Sequence, residues 1–217
     1  QEDQPLVINA PLACAAFARR VASAAYDAGA HDVTVAWNDE MLARLRYDKA
    51  KKSVFKEFPE WRRRLYQDSA EAGAAVVTIH ASDPEIFSGV EPERLTLAQQ
   101  AAGAALLEYR QRLMSNKNAW CVVSIPTESW AKKVFPAKTP AAAVEKLWQA
   151  IFEAVRLAPG EDAAARWQEH IDFLARAAKF MNDHAFVRLE YKNSLGTDLS
   201  IELPKGHIWM GGAEKTQ

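Results

Sequence analysis

LVINAPLACAAFARRVASAAYDAG, residues 6–29, carries the pattern that decides the fold. It begins with a short apolar run over residues 6–8 and continues into a segment whose apolar side chains share one helical face. That face consists of Phe17, Val21, Ala24, Ala25 and Ala28. Gly29 follows, where a residue in the left-handed conformation commonly ends a helix. A buried strand that leads into an amphipathic helix is the repeating unit of an α/β fold.

The same strand signal recurs three times, at Val33–Trp37, Ala75–Ile79 and Trp120–Ile125. These runs lack polar alternation, and helical sequence separates them, including a single predicted helix over Leu95–Met114. Strands that are apolar on both faces are typical of a parallel sheet covered by helices on each side. The sequence therefore predicts an α/β fold with a mostly parallel sheet and helices on both faces.

The pattern changes near Asp183, where two alternating segments flank the turn formers Asn193, Ser194 and Gly196. This predicts an antiparallel hairpin with one buried face. We place a domain boundary there, with residues 1–183 as the α/β amino-terminal domain and residues 184–217 as a β-hairpin that begins a second domain.

Composition narrows the functional classes. Lys plus Arg number 27 against 28 Asp plus Glu, so the net charge of −1 gives no global attraction to nucleic acid or anionic membranes. No apolar run approaches the roughly 18 residues that a membrane span requires. We interpret Cys14 and Cys121 as small buried side chains of a protein in a reducing compartment. A single disulfide between them is the open alternative. We expect a cytoplasmic protein without membrane or nucleic-acid partners.

Three segments resemble the M29, or thermophilic-type, metallo-aminopeptidases. They are IPTESWAKKVFP at residues 125–136, WQEHIDFLARAAKFMN at residues 167–182 and GTDLSIELPKGHIWMGG at residues 196–212. The resemblance extends over nearly the whole chain. It implies that the chain is the amino-terminal domain and the start of the metal domain of an enzyme that removes amino-terminal residues from peptides.

The resemblance also implies what this portion lacks. The family uses two divalent metal ions, of the zinc or cobalt class, held by two glutamates, two histidines, an aspartate and a tyrosine. We expect those ligands beyond Gln217, so no catalytic or metal-binding residue is assigned here. The portion is expected to hydrolyse nothing alone, to bind no catalytic metal, and to shape the active-site chamber and the homodimer of the whole enzyme.

Four residues are candidates for a cleft or an interdomain contact. Glu128 and Trp130 follow the last predicted parallel strand, and carboxyl ends of such strands border the clefts of α/β folds. Thr127 capping a helix over Glu128–Val134, with Trp130 packed beneath it, explains the same residues without any function. His207 and Trp209 lie beside glycines, where a cleft or strand-end packing is equally compatible.

Other functional classes stay open at this point. The segment Arg44–Tyr66 combines basic and aromatic residues, as single-stranded nucleic-acid sites do, although a solvated helix face is the simpler interpretation. The turn at residues 9–13 lacks the glycines of a phosphate-binding loop, which argues against a nucleotide site. A non-catalytic binding or assembly module on the same fold remains an alternative.

Overall fold

The computed structural model describes residues 2–137 and 139–211. Its strands are β1 (Leu6–Pro11), β2 (Val33–Asn38), β3 (Ala75–Ile79), β4 (Trp120–Val123), β5 (Arg188–Lys192) and β6 (Asp198–Glu202). Its α-helices are α1 (Ala15–Asp27), α2 (Glu40–Lys49), α3 (Glu60–Glu71), α4 (Pro92–Ala105), α5 (Leu107–Met114), α6 (Glu128–Val134), α7 (Pro140–Ala154) and α8 (Ala163–His184). Within these residues, none of the helices has the length and apolar character needed to span a bilayer.

The chain forms two compact units, one up to Ala154 and one from Val155 onward. The first contains β1 to β4 and α1 to α7, and the second contains α8 and the β5–β6 hairpin. The two units divide before α8, whereas the sequence predicts a domain boundary at residue 183, in the last turn of that helix. The position of the domain boundary in the whole protein stays a prediction.

The first unit is built on a four-stranded parallel sheet in the order β2-β1-β3-β4. Ile8 of the central strand β1 pairs with Val35 on one side and Val77 on the other, and it is fully buried. A strand enclosed in this way presents apolar side chains on both faces, which is why its sequence shows no alternation. The predicted parallel sheet is confirmed.

Helices cover both faces of this sheet, as predicted. On one face, Leu6, Ile8 and Ile79 form a core with Ala18 of α1. On the other face, Val76 packs with Ala70 of α3 and Tyr109 of α5. Small residues on the helices allow close approach to the strands, so each face forms a dense layer.

Polar side chains cap the first turns of three helices that the sequence predicts. The Thr127 hydroxyl accepts the Trp130 amide at 3.5 Å at the start of α6, and the Thr139 hydroxyl accepts the Ala142 amide at 3.3 Å at the start of α7. Asp162 accepts the amides of Ala164 and Ala165 at the start of α8. Each cap pairs an amide that would otherwise lack a partner in the first helical turn.

Two expectations about the first unit are wrong. The single helix predicted over Leu95–Met114 is divided into α4 and α5 at Leu106, whose ψ of 15° departs from helical geometry. Cys14 is buried as expected, but Cys121 is exposed, and the two thiols are free. Cys121 lies on β4, the edge strand, and the order of strands in a sheet does not follow from their sequences.

The predicted hairpin is present in the second unit, with Leu189 of β5 opposite Ile201 of β6. Its turn is held by the Asn193 side chain, which accepts the amides of Leu195 and Thr197, and Gly196 adopts a φ of +95° that only glycine accepts freely. The face predicted to be buried is not, because Leu199 is 48 % exposed and Ile201 42 % exposed. A two-stranded sheet cannot bury its own apolar face without a second layer.

Candidate functional site

A cleft of about 410 Å³ lies at the carboxyl ends of the four parallel strands. Each strand contributes to its lining through the segment that follows it. The lining residues are Pro11 at the end of β1 with Leu12 and Ala13 after it, Asp39, Glu40 and Met41 after β2, Asp83 and Ile86 after β3, and Ser129 after β4. This is the edge at which parallel α/β sheets hold ligands.

Three carboxylates of the cleft hold its loops in place. Asp39 caps α2 by accepting the amide of Met41 at 2.9 Å and that of Leu42 at 3.1 Å. Glu40, the first residue of α2, accepts the amide of Asp83 at 3.2 Å, which joins the start of that helix to the loop after β3. Asp83 in turn accepts the amide of Glu85 at 2.9 Å. The cleft therefore has an acidic, hydrogen-bonded rim whose carboxylates face backbone amides.

Cys14 lies buried beneath this rim at the end of the 3-10 helix that follows β1. Burial raises the pKa of its thiol above the ordinary value, and the negative charge of Glu40 raises it further. A thiol in these surroundings stays protonated at neutral pH, so it is a poor nucleophile. Cys14 acts here as a small packing residue.

Ser129 lines the cleft from the predicted loop after β4, and its hydroxyl lies 3.3 Å from that of Thr127. Glu128 points outward, with its carboxylate 3.5 Å from the ammonium of Lys132. Trp130 packs against the small core that Ala131 forms with Ala143 and Leu147 of α7. Trp130 thus makes the packing contacts that explain it without a function. A cleft or interdomain role of Glu128 in the whole protein stays a prediction.

His207 and Trp209 lie together in the second unit, with their rings in an edge-to-face contact at 5.9 Å between centroids. The backbone of Trp209 is clasped by Asn182 of α8. The Trp209 amide donates to Asn182 Oδ1 at 2.7 Å, and the Trp209 carbonyl accepts from Asn182 Nδ2 at 2.9 Å. We call this pair of hydrogen bonds the Asn182 clasp. It fixes the segment that carries both aromatic rings.

The tautomer of His207 follows from its neighbour. Its Nδ1 lies 2.9 Å from the carbonyl oxygen of Pro204, and a carbonyl can only accept, so Nδ1 carries the hydrogen in the neutral ring. Nε2 is then left with its lone pair, ready to accept a hydrogen bond or to bind a cation. The indole Nε1 of Trp209 is buried without a hydrogen-bond partner among the described residues.

The described residues do not fit a metal centre. In residues 2–137 and 139–211, no three side chains of His, Cys, Asp or Glu lie close enough together to hold an ion. The carboxylates of the cleft show why, since Asp39, Glu40 and Asp83 each turn toward a backbone amide instead of toward a common point. Metal ligands must converge within about 2.0–2.6 Å of one ion.

The model of the thermophilic metalloprotease family M29 matches residues 1–217, the whole chain. The chain belongs to the M29 family. Aminopeptidase 2 of Geobacillus stearothermophilus is 39 % identical over 217 residues, which cover 100 % of this chain and 52 % of that protein. Aminopeptidase T of Thermus aquaticus is 36 % identical over 220 residues, covering 100 % of this chain and 53 % of that protein.

A solved structure supports the same assignment. Wild-type AmpT from Thermus thermophilus matches with a TM-score of 0.89 and 32 % identity, over 100 % of this chain and 53 % of that one. The M29 chain thus spans about half the length of the relatives it matches. The two relatives compared by sequence are both named aminopeptidases, so they give no support to a non-catalytic assembly module.

Sequence reasoning missed two features of the M29 chain. The Asn182 clasp joins residues 27 positions apart, and a lone asparagine near the end of a helix gives no signal for such a contact. The acidic rim of the cleft was also missed, although one signal was available. Asp39 directly follows β2 and precedes a helix, which is the position of both a cap and a cleft residue.

Proposed function

We propose that the chain is the amino-terminal half of a metal-dependent aminopeptidase, an enzyme that removes single residues from the free amino termini of peptides. The observation that carries this proposal is the match of the M29 model to all 217 residues. The relatives described above are aminopeptidases of about twice this length. The family and the named relatives point to the same reaction, and peptides are therefore its substrates.

We place the metal centre in the other half of the enzyme. The carboxylates that meet at the strand ends are turned toward backbone amides, and they do not fit an ion. Two divalent ions of the zinc or cobalt class, held by that half, would activate a water molecule and polarise the first peptide carbonyl. The 217-residue chain alone would then be inactive.

The chain contributes the walls of the chamber and a part of the homodimer. Glu128 projects from α6 with its side chain 68 % exposed, and the neighbouring Trp130 anchors that helix in the core of the first unit. In the second unit the Asn182 clasp holds Trp209, and Pro204 orients His207. These four residues are the proposed cleft or interdomain contacts. The domain change at residues 183–184 is the proposed start of that metal domain.

A comparison of two polypeptides tests the proposal. Leucine p-nitroanilide and its N-acetylated form would be given to the whole protein and to the 217-residue chain, each supplied with zinc or cobalt. The whole protein should hydrolyse the free-amino substrate and reject the acetylated one, and the short chain should hydrolyse neither. Turnover by the short chain, or a whole protein that is inactive on every aminoacyl substrate, would contradict the proposal.

A further inference from the structure

A second concave surface of the first unit is rich in aromatic rings. One lobe of about 850 Å³ lies between the edge strand β2, α2 and α3, and a second lobe of about 560 Å³ lies between α2, α3 and α4. The lobes share Arg46, Tyr47, Trp61 and Arg62, so they are continuous. We call this surface the aromatic groove. The volume of each lobe falls within the range of about 300–1,000 Å³ that ligand pockets typically occupy, which suits a short peptide.

The floor of the groove is rigid. Tyr47 stacks on Phe55 with their ring centroids 4.9 Å apart, and Phe87 meets Tyr47 edge-to-face at 5.0 Å. Phe55 is fully buried, and the guanidinium of Arg94 lies 5.5 Å from its ring. Arg94 also donates to the carbonyl oxygen of Tyr47 at 2.9 Å. A preorganised floor lowers the entropic cost of binding a ligand.

Trp61, unlike the buried Phe55, is 70 % exposed. It lies in the first turn of α3, beside the floor of the groove. Large aromatic side chains are rarely left this exposed without a partner. Its indole ring offers apolar area to a ligand in either lobe.

Arg62 supplies the charge of the groove. Arg62 is partly buried and its guanidinium faces the ring of Phe58 at 5.9 Å, and among the described residues it makes no side-chain hydrogen bond and no ion pair. Arg63 and Arg64, which follow it, both pair with Glu60. Glu57 lines the second lobe but forms no ion pair with Arg62. The guanidinium of a partly buried arginine that has no carboxylate partner is suited to receive a carboxylate from a ligand, through two parallel hydrogen bonds.

The surroundings of Arg62 favour a single carboxylate over a nucleic acid. In the basic segment Arg44–Tyr66, Arg44 pairs with Asp48 and Lys52 with Glu91. Arg63 and Arg64 are also paired, so these four cations have less charge to offer to the several phosphates of a nucleic acid. In the groove itself, Arg46 lies 4.9 Å from the centre of the Phe55 ring and donates to the carbonyl oxygen of Val54 at 3.2 Å. Arg62 has no such hydrogen bond among the described residues, and a fork-shaped cation beside aromatic rings matches a carboxylate attached to an apolar residue.

We propose that the aromatic groove binds a short peptide, with a carboxylate of the peptide on Arg62 and an apolar side chain against Trp61 and Tyr47. This rests on the proposed function, since peptides are then the natural ligands. The groove would hold a part of the substrate or product that does not react. It would favour peptides with a free carboxyl terminus, or with an acidic side chain, next to an apolar residue.

Calorimetric titration of the 217-residue chain tests the proposal without any hydrolysis. The probes are the tripeptide Leu-Leu-Phe, its carboxyl-terminal amide, and the amide of Leu-Glu-Phe. The first should bind and the second should bind about tenfold more weakly or worse, since it lacks the charge-assisted bond. If the third regains affinity, an acidic side chain also supplies the carboxylate. If it does not, the carboxyl terminus is the source.

The matched variants are Arg62→Gln and Arg64→Gln, two positions apart on the same helix. Arg62→Gln should weaken Leu-Leu-Phe by about tenfold or more and abolish the preference over the amide. Arg64→Gln, which removes an exposed partner of Glu60, should change the affinity less than about twofold. Far-ultraviolet circular dichroism checks that both variants are folded, and Arg62→Lys keeps the charge but loses the fork.

Equal binding of the acid and amide peptides, or an unchanged affinity in Arg62→Gln, would overturn the proposal. Displacement of the peptide by a short oligothymidylate that binds more tightly at physiological salt would overturn it in favour of nucleic acid. The proposed function fails separately, because it is tested by hydrolysis in the whole protein, whereas this titration measures binding alone.

Discussion

Replacing Asn182 by alanine removes the Asn182 clasp and should release the segment that carries His207 and Trp209. Two hydrogen bonds are lost, of 2.7 Å and 2.9 Å, both at an exposed site. A net value of about 0.5–1.5 kcal/mol each gives a local cost of about 1–3 kcal/mol, with the lower half expected because of exposure. Alanine favours helix over asparagine by up to about 0.7 kcal/mol, so the thermal midpoint should hardly change.

Hydrogen exchange read at the Trp209 backbone amide, the donor to Asn182 Oδ1, measures this local opening. A cost of about 1–2 kcal/mol predicts a loss of protection of about 5–30-fold at that amide. Asn182→Asp keeps the acceptor oxygen, so its loss should be smaller. The control is Lys179→Ala on the same helix, which removes the ion pair with Asp183 and should leave Trp209 unaffected. Unchanged protection of Trp209 in Asn182→Ala would refute the argument that the clasp holds this segment.

Three further predictions concern the first unit. Phe55→Ala should lower the free energy of unfolding by about 3–5 kcal/mol in urea titration, because the fully buried ring supports both the Tyr47 stack and the groove, and a cost below about 1 kcal/mol would contradict this packing. The pKa of His31 is raised by its hydrogen bond to Asp3 and by that carboxylate's charge, so the stabilisation is full below the ordinary pKa and is lost as the pH rises through the raised value. Proton NMR titration should show the raised pKa and its return toward the ordinary value in Asp3→Asn, and identical titrations would count against the pair. A thiol reagent should modify Cys121 in the native chain and leave Cys14 intact until denaturant is added, whereas equal rates would show that Cys14 is accessible.

The parallel sheet was predictable because the apolar pattern in the sequence of a central strand reflects the burial of that strand. Leu6, Val7 and Ile8 are buried on both faces, so the lack of polar alternation is a direct consequence of the fold. Caps were predictable for the same local reason, since Thr127 and Thr139 each act on an amide three residues further on.

The remaining features depend on contacts between distant segments. The exposure of Cys121 follows from β4 being the edge strand, and strand order is a property of the assembled sheet. The cleft needs the ends of four strands to meet, and Glu40 at the start of α2 bonds to Asp83, a residue 43 positions away in the chain. The family resemblance supplied the class of function, but it gave no indication of the Asn182 clasp or of the position of Arg62.

The central claim is that the reactive metals belong to the other half of the enzyme. Both the whole protein and the 217-residue chain would be dialysed against zinc or cobalt, passed through a desalting column and analysed for bound metal per polypeptide. The account predicts about two ions on the whole protein and none retained by the short chain. Stoichiometric metal on the short chain, held tightly enough to survive desalting, would contradict it.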